Sequence, residues 1–322
     1  MNPLGVGIGW RPEIDLTVER LPDVDFVEVV AENIRPAALP ESLRVLRERG
    51  IPVVPHGVGL GLGDATPPDP VRLAHLAACA KALDAPLVSE HLAFVRAGGM
   101  EAGHLLPVPR TRETLAVVAD NIMRAQDALP VPLALENVAA IFGWPEDELT
   151  EAEFLGELVE RTGVQLLVDV ANLYTNQVNL DLSAVEALDV LPLASLAYVH
   201  VAGGHLHDGI WHDTHAHTVP EQVLDVLEEL CARVTPPGVL LEWDDHYPSD
   251  AALATELDRV RTAIAAGARR LTSSQAGTTE NAGPHTRPLR EPGTPATSET
   301  PTGRAASAAS AAREATLGEG PW

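Results

Sequence analysis

The sequence has few cysteines and no long hydrophobic run. Cys79 and Cys231 are its only cysteines, and each lies within a helical pattern. Two isolated thiols form neither a disulfide framework nor a cysteine-rich metal site, so we interpret them as reduced core residues. No stretch of about 18 apolar residues could span a membrane. The amino terminus has no basic segment followed by an apolar one, so we expect a cytoplasmic protein without a signal peptide.

Positive charge is also scarce. The chain has 22 Lys and Arg against 46 Asp and Glu, which gives a formal net charge of −24. No stripe of basic residues interrupts this acidic background, and a nucleic acid backbone would be repelled by it. Nucleic acid is therefore not an expected partner. A hydrophobic content of 45% over 322 residues is ample for a full core.

The composition changes near the carboxyl end. From Ser273 to Trp322 the chain consists mainly of Ala, Gly, Pro, Ser and Thr, and Leu289 and Leu317 are its only large aliphatic residues. Such a segment cannot bury enough apolar surface to fold alone. We therefore predict a folded domain over residues 1–272 and a disordered tail over residues 273–322.

Residues 1–272 alternate between short apolar stretches and amphipathic ones, which is typical of strands followed by helices. The predicted strands are Gly5–Trp10, Phe26–Ala31, Pro52–Gly57, Pro86–His91, Pro132–Glu136, Gln165–Val170, Leu196–Val201 and Val239–Trp243. The predicted helices are Glu41–Arg49, Pro70–Leu83, Arg112–Leu129, Glu151–Thr162, Ser183–Leu191, Pro220–Val234 and Ser249–Ala266.

This pattern predicts an α/β protein with a (β/α)8 fold, the TIM barrel, because parallel hydrophobic strands need helices on the outside. A doubly wound open sheet is the alternative. It would require a glycine-rich phosphate turn after the first strand, and Gly5–Trp10 lacks the third glycine and the helix start of that turn.

Side chains that can bind a metal stand at the ends of most predicted strands. In a barrel these ends meet at one face, so residues distant in sequence become neighbours. The candidates are His56, His91, Glu136, Asp169, His200 and Glu242, with Asp213 and His215 in the loop after the seventh strand. Imidazoles and carboxylates without thiolates suit iron, manganese or zinc. A polar group in an apolar strand costs several kcal/mol unless it is paired or coordinated. The set therefore predicts more than one metal ion at the barrel mouth.

Each of these residues has a simpler explanation when taken alone. A buried histidine is often only hydrogen-bonded, and a buried aspartate usually caps a helix. The coincidence of six strand-terminal residues favours a metal site. Half of the 12 histidines lie within residues 200–217. Of these, we expect His205 and His217 to support ligands or face a substrate, and His207 and His212 to be exposed.

Eight motifs follow one another in the order known from one enzyme family. They are His-Gly-Val-Gly-Leu at 56–60, Ser-Glu-His-Leu at 89–92, Leu-Leu-Pro at 105–107, Leu-Glu-Asn at 135–137, Asp-Val-Ala-Asn-Leu-Tyr at 169–174, His-Val-Ala-Gly at 200–203, Asp-Thr-His at 213–215 and Glu-Trp-Asp at 242–244. Over about residues 4–265 the chain resembles the multinuclear non-heme iron-dependent oxidative enzymes. That family includes the iron enzyme of methanobactin biosynthesis and relatives that modify cysteine in ribosomally made peptides.

The resemblance implies two or three iron ions at the mouth of a TIM barrel, O2 as co-substrate and a precursor peptide as substrate. In the family the peptide thiolate and O2 bind at iron, and hydrogen is removed from the cysteine β-carbon. Families of this kind often use a second protein that presents the peptide.

Roles for individual residues follow from the same motifs. By resemblance, His56, His91 and Glu136 bind one iron, with Glu136 bridging; Asp169, His200, Asp213 and His215 bind its neighbours; and Glu242 bridges or binds a third. Asn172 and Asn137 are further ligand candidates. Glu32 and Asp244 are the candidates for orienting ligands or transferring protons.

Two positions depart from the family pattern. Ala171 stands where the family usually has Asn, and His104 stands where it has Asn or Asp. Either change can alter the coordination of one ion or a contact with the substrate.

Two other functions stay open. One is a zinc or manganese isomerase or phosphoesterase of the xylose-isomerase-like barrel type, and the other is a non-catalytic metal-binding module. Acidic and histidine-rich loops disfavour a DNA phosphoesterase. Sugar isomerases of this barrel type have a catalytic lysine near the metals. Lys81 lies in a predicted helix, so no lysine fills that role here. The ligands outnumber the four or so that a structural ion needs.

Overall fold

The structure is a computed structural model that describes residues 3–280. Its strands are β1 (Gly5–Trp10), β2 (Phe26–Val30), β3 (Val53–Gly57), β4 (Val88–His91), β5 (Ala93–Ala97), β6 (Met100–Pro107), β7 (Leu133–Glu136), β8 (Gln165–Asp169), β9 (Leu196–Ala202), β10 (His205–His207), β11 (Ile210–His212) and β12 (Gly238–Glu242). Its α-helices are α1 (Asp15–Arg20), α2 (Glu41–Glu48), α3 (Pro70–Leu83), α4 (Arg112–Ala128), α5 (Glu151–Thr162), α6 (Val170–Leu180), α7 (Ala184–Val190), α8 (Glu221–Cys231) and α9 (Asp250–Glu280).

Eight of these strands close into a parallel barrel in the order β1, β12, β9, β8, β7, β4, β3, β2. The closure lies at β1, where Gly7 pairs with Phe26 of β2 on one side and with Leu240 of β12 on the other. A β-carbon at Gly7 would lie 2.5 Å from the Phe26 ring, so only glycine fits there. The predicted TIM barrel is confirmed.

The predicted elements agree with the structure to within a few residues at most boundaries, and two helices were missed. One is the short α1. The other is α6, which begins at Val170 directly after β8. The side chain of Asp169 caps α6 by accepting from the backbone N–H groups of Ala171 and Asn172, at 2.6 and 2.9 Å.

Two hairpins extend the barrel at the carboxyl ends of its strands. The β5–β6 hairpin follows β4, and the β10–β11 hairpin follows β9. Both are antiparallel two-stranded sheets. They therefore stand on the face where the predicted ligands meet.

The barrel interior has an apolar layer with a polar layer above it. The apolar layer takes one residue from or next to each of seven strands: Phe26, Val54, Leu87, Ala134, Leu167, Tyr198 and Leu240. Side chains alternate along a strand, so the residues two positions further on also point inward. They are Glu28, His56, Ser89, Glu136, Asp169, His200 and Glu242, and all are buried.

Both cysteines are free and buried, which confirms their reading as core thiols. Burial raises the pKa of Cys79 to about 11 and that of Cys231 to about 12. They are therefore inert thiols at neutral pH. Among residues 3–280 no helix is both long and apolar enough to cross a membrane.

The last helix is longer than predicted. The sequence suggested Ser249–Ala266, whereas α9 runs from Asp250 to Glu280 and so includes the first eight residues, 273–280, of the predicted tail. The rest of that tail, residues 281–322, lies outside the described residues. The division into a domain over 1–272 and a disordered tail stays a prediction.

Candidate metal centre

The polar layer brings together residues from all over the sequence, as the strand pattern predicted. His56 is the next-to-last residue of β3, His91 ends β4 and Glu136 ends β7. Nε2 of His56 lies 3.4 Å and Nε2 of His91 lies 3.3 Å from Oε2 of Glu136. Two donors bound to one ion at about 2.1 Å are roughly 3.0–3.4 Å apart. These three atoms therefore have the spacing of ligands around one ion.

A second group shares Glu136 with the first. Its other oxygen, Oε1, lies 3.3 Å from Nδ1 of His200, and this nitrogen lies 3.2 Å from Oε2 of Glu242. Asp169, Glu136 and His200 each offer a donor atom within 4.8 Å of the others. The carboxylate of Glu136 thus has one oxygen towards each group, as a bridging ligand requires.

A third group is built by the loop after β11. His215 lies there with its Nε2 2.9 Å from Oδ2 of Asp213 and its Nδ1 3.5 Å from Oε2 of Glu242. Asp169, His215 and Glu242 also form a group with donors within 4.8 Å. Asp213 and His215, predicted from a loop motif, therefore join the strand-terminal residues.

Asp244 stands at the rim of this group. Its Oδ2 lies 3.0 Å from Nδ1 of His215, and its Oδ1 accepts from Nε of Arg11 at 2.7 Å. The buried Arg11 also donates to Oε1 of Glu242 at 3.1 Å. Its guanidinium enters the barrel beside Gly9. A β-carbon at this glycine would lie 3.2 Å from Nη1 of Arg11, so a side chain there would compete for the same space. The sequence interpretation overlooked Arg11.

Several buried polar atoms of the centre lack a hydrogen-bond partner. They are Oε1 of Glu28, Oε2 of Glu136, Oδ2 of Asp169, Oδ1 of Asn172, Nδ1 of His200 and Oδ1 of Asp213. Buried polar groups are almost always satisfied, and an unsatisfied one costs about 1–3 kcal/mol. Five of these six atoms belong to predicted ligands, so the residues fit metal ions as their missing partners.

A chain of hydrogen bonds orients two of the histidines from below. Glu28 accepts from Nε2 of His200 at 2.8 Å and from the Tyr198 hydroxyl at 2.5 Å. Oγ of Ser89 lies 2.6 Å from that hydroxyl and 2.8 Å from Nδ1 of His56. These contacts hold Nδ1 of His200 and Nε2 of His56 towards the centre.

Glu28 and Ser89 are members of the site that the sequence interpretation missed. Glu28 lies in the middle of β2 in Phe-Val-Glu-Val-Val, not at a strand end. Its signal is the single charge within an apolar strand, on the inward face that Phe26 begins.

The two asparagines differ in what their side chains contact. The amide of Asn137 is fully used, because it accepts from the backbone N–H of Asp169 at 2.8 Å and donates to the carbonyl of the same residue at 3.0 Å. Asn172 donates to the carbonyl of Asn137 at 2.9 Å, while its Oδ1 has no partner. Asn172 therefore retains a free ligand atom, and Asn137 holds Asp169 in place.

Glu32 lies away from the donor groups. Its Oε1 accepts from the backbone N–H of Val58 at 3.0 Å, just beyond the end of β3. Burial and the nearby Glu90 carboxylate raise its pKa. Its role stays a prediction. The side chains of His205, His207, His212 and His217 are exposed, as expected for His207 and His212.

The electrostatics of the centre reflect a shortage of positive charge. Burial, with the charges of Asp213 and Glu136, raises the pKa of Asp169 to about 7. Burial disfavours a charged His91, but Glu136 and Glu90 raise its pKa to about 9. Burial and the neighbouring imidazoles hold the pKa of His56 well below its usual range. A cation would favour the ionised carboxylates, and the neutral His56 ring already has a lone pair to donate.

Comparison with known families decides where this centre belongs. The family described as RiPP precursor modification enzyme MbnB/TglH/ChrH matches residues 5–265. The chain belongs to this family. RiPPs are ribosomally made, modified peptides, so the relationship suggested by the motifs is confirmed at the level of the family.

Curated relatives carry only a general name. A UPF0276 protein of Streptomyces avermitilis is 53% identical over 271 residues, covering 82% of this chain and 56% of the relative. The chain thus spans about half the length of that relative. A UPF0276 protein of Chromobacterium violaceum is 36% identical over 263 residues, covering 81% of this chain and 95% of the relative.

Solved structures show the fold alone. The 3-keto-D-glucoside 4-epimerase YcjR from E. coli matches with a TM-score of 0.54 at 15% identity, covering 80% of this chain and 99% of that one. Endonuclease IV from Thermus thermophilus matches with a TM-score of 0.51 at 20% identity, covering 81% and 98%. The family match indicates an enzyme, and these neighbours share the barrel fold.

Proposed function

We propose that this chain is a multinuclear iron-dependent enzyme that uses O2 to oxidise a residue, most specifically a cysteine, of a ribosomally made precursor peptide. A second protein that presents the peptide is part of the same proposal. Membership of a RiPP precursor modification family supports a peptide substrate. Imidazole and carboxylate ligands are suited to iron, which, unlike zinc, can cycle between oxidation states as an oxidation with O2 requires.

One observation carries the multinuclear part of the proposal. Glu136 directs one oxygen to His56 and His91 and the other to His200, at 3.3–3.4 Å in each case. A carboxylate between two groups of donors is suited to bridge two ions. In the proposal His56, His91 and Glu136 hold one iron, and the remaining ligands hold its neighbours: Asp169, Asn172, His200, Asp213, His215 and Glu242.

When bound, iron would bring the peptide sulfur and O2 together and stabilise the sulfur as a thiolate. The protein residues hold the ligands in place and move protons. Arg11 restrains Glu242 and Asp244. Asp244 is half-exposed at the rim and contacts His215, so it is the residue placed to exchange a proton with a bound peptide. Glu32 is proposed as a second residue that transfers protons, because its carboxylate lies beside the carboxyl end of β3.

The proposal is tested with protein purified without oxygen. The test substrate is a cysteine-containing precursor peptide, sought as a short reading frame beside the gene, and its Cys→Ser version is the control. We expect O2 consumption and a change in peptide mass with the first peptide alone. The Glu136→Gln variant, which keeps the shape of the side chain but loses its charge, should lose both signals. Stoichiometric zinc without iron, together with turnover of a sugar or phosphate ester, would instead establish the isomerase or phosphoesterase alternative.

A further inference from the structure

The β10–β11 hairpin carries a cluster of histidines outside the buried centre. His205 pairs across the hairpin with His212, and His207 follows His205 by two residues. Side chains alternate along a strand and face their cross-strand partners, so these three imidazoles share one face. His217 lies beside them, with its ring centroid 4.8 Å from that of His205. We call these four residues the hairpin histidines.

The opposite face of the hairpin fixes it to the barrel. Trp211 packs against Tyr174 of α6 with ring centroids 5.1 Å apart. Asn179 bonds to both the N–H and the carbonyl of Trp211, at 2.8 and 3.0 Å. Asp208 and Gly209 have φ angles of 50° and 81°, the left-handed pair that a tight two-residue hairpin needs. The imidazole face is therefore held outward on a rigid support.

The ring centroids are spaced as in ligands of one ion, although the ring nitrogens do not converge as they stand. Three of them form a triangle with centroid separations of 5.5 Å for His205 and His212, 6.1 Å for His207 and His212, and 6.4 Å for His205 and His207. Imidazoles bound to one ion at about 2.1 Å have centroids roughly 4.5–6.5 Å apart. Binding requires the rings to turn so that one nitrogen of each faces the ion, and exposed side chains turn within nanoseconds.

Charge and connectivity favour a metal cation as the ligand. The acidic protein attracts cations. The chain continues directly from His212, the last residue of β11, to Asp213 of the buried centre, so the hairpin and the centre are adjacent in sequence.

We propose that the hairpin histidines form a labile site for one divalent transition-metal ion at the barrel mouth, from which ions pass to the buried centre. The delivery step rests on the proposed function, because it needs a metal in the centre. The existence of the surface site does not rest on the proposed function.

Ni²⁺ titration of the iron-loaded full-length protein tests the surface site by calorimetry. We expect one additional Ni²⁺ per chain, bound at least about tenfold more weakly by the His207→Ala/His212→Ala variant. His104→Ala removes an exposed histidine on the other hairpin and should leave the titration unchanged. Equal affinity in the double variant and the wild type would overturn the site, as would an equal loss in His104→Ala.

Iron content tests delivery. In protein from cells grown with limiting iron, we expect the double variant to carry about half the iron of the wild type, and in cells with excess iron the two should be equal. Equal iron under limitation would refute delivery. Iron missing from every preparation would refute both delivery and the proposed function, and the Ni²⁺ titration would still decide whether the surface site exists.

Discussion

Replacing Glu28 by Gln should weaken metal binding through His200, the predicted ligand whose ring Glu28 orients. Glu28 is fully buried and accepts from Nε2 of His200 at 2.8 Å. Gln keeps an acceptor oxygen in that place but loses the charge that makes the imidazole a stronger ligand. Loss of such a partner typically costs 10–100-fold in metal affinity. At about 1.4 kcal/mol for each factor of ten, this is roughly 1.4–2.8 kcal/mol.

Linkage turns this loss into a measurable difference in stability. A metal ion that binds only the folded state stabilises that state. At saturating metal this stabilisation falls by about 1.4 kcal/mol for each tenfold loss in affinity. The experiment compares the free energy of unfolding in urea with Fe²⁺ and with a chelator, under anaerobic conditions. We expect the metal-dependent part to be smaller in Glu28→Gln by roughly 1.4–2.8 kcal/mol.

A matched control separates this effect from general destabilisation. Glu256 is also buried, but it accepts from the backbone of Val219 and pairs with Arg259, away from the centre. Glu256→Gln should lower the stability of the metal-bound and metal-free forms equally. The reasoning about Glu28 would be refuted if its variant kept the full metal-dependent stabilisation while losing stability in both forms.

Four further changes have defined outcomes. Arg11→Met should lower the free energy of unfolding by about 3 kcal/mol, because it leaves the buried Glu242 without its guanidinium partner. A loss below about 1 kcal/mol in urea titrations would show that the Arg11–Glu242 pair contributes little to stability. Asn172→Ala should reduce bound metal and lower the free energy of unfolding of the metal-free protein by only about 1 kcal/mol, because it removes one hydrogen bond to Asn137. Asn137→Ala should lower it by about 2 kcal/mol, because it leaves both the N–H and the carbonyl of Asp169 unpaired. Equal effects of the two on metal content would argue against this division. A chain that ends at residue 280 should keep its metal content and melt within about 2 °C of the full chain, as calorimetry would show, and a larger drop would assign a stabilising role to residues 281–322.

The fold and most of the site follow from two periodicities in the sequence. Alternating strand and helix patterns predict a barrel, and a barrel gathers its strand ends at one face. His56, Glu136 and Asp169 could therefore be placed together without any contact being known. Each is the last or next-to-last residue of its strand, where the apolar pattern stops.

What escaped prediction depends on distances that only the folded chain defines. Glu28 and Ser89 support the histidines from within the strands, and a rule based on strand ends passes over them. The period of two, continued from Phe26, would have pointed to Glu28. Helix α6 was missed because it follows β8 without a turn, so its apolar residues merge with those of the strand.

The loops were the least predictable part. Asp213 and His215 were chosen from a short motif, but nothing in the sequence shows that His215 reaches Glu242 and Asp244 across the mouth. Arg11 likewise enters the barrel only because Gly7 and Gly9 leave β1 without inward side chains. Such contacts depend on the path of the backbone rather than on local pattern.

Anomalous X-ray diffraction at the iron edge, on crystals of anaerobically purified protein, tests the central claim most directly. We expect at least two iron peaks, one among His56, His91 and Glu136 and another among Glu136, Asp169 and His200. A barrel mouth without iron peaks, or with a single peak that Glu136 does not contact, would contradict the account.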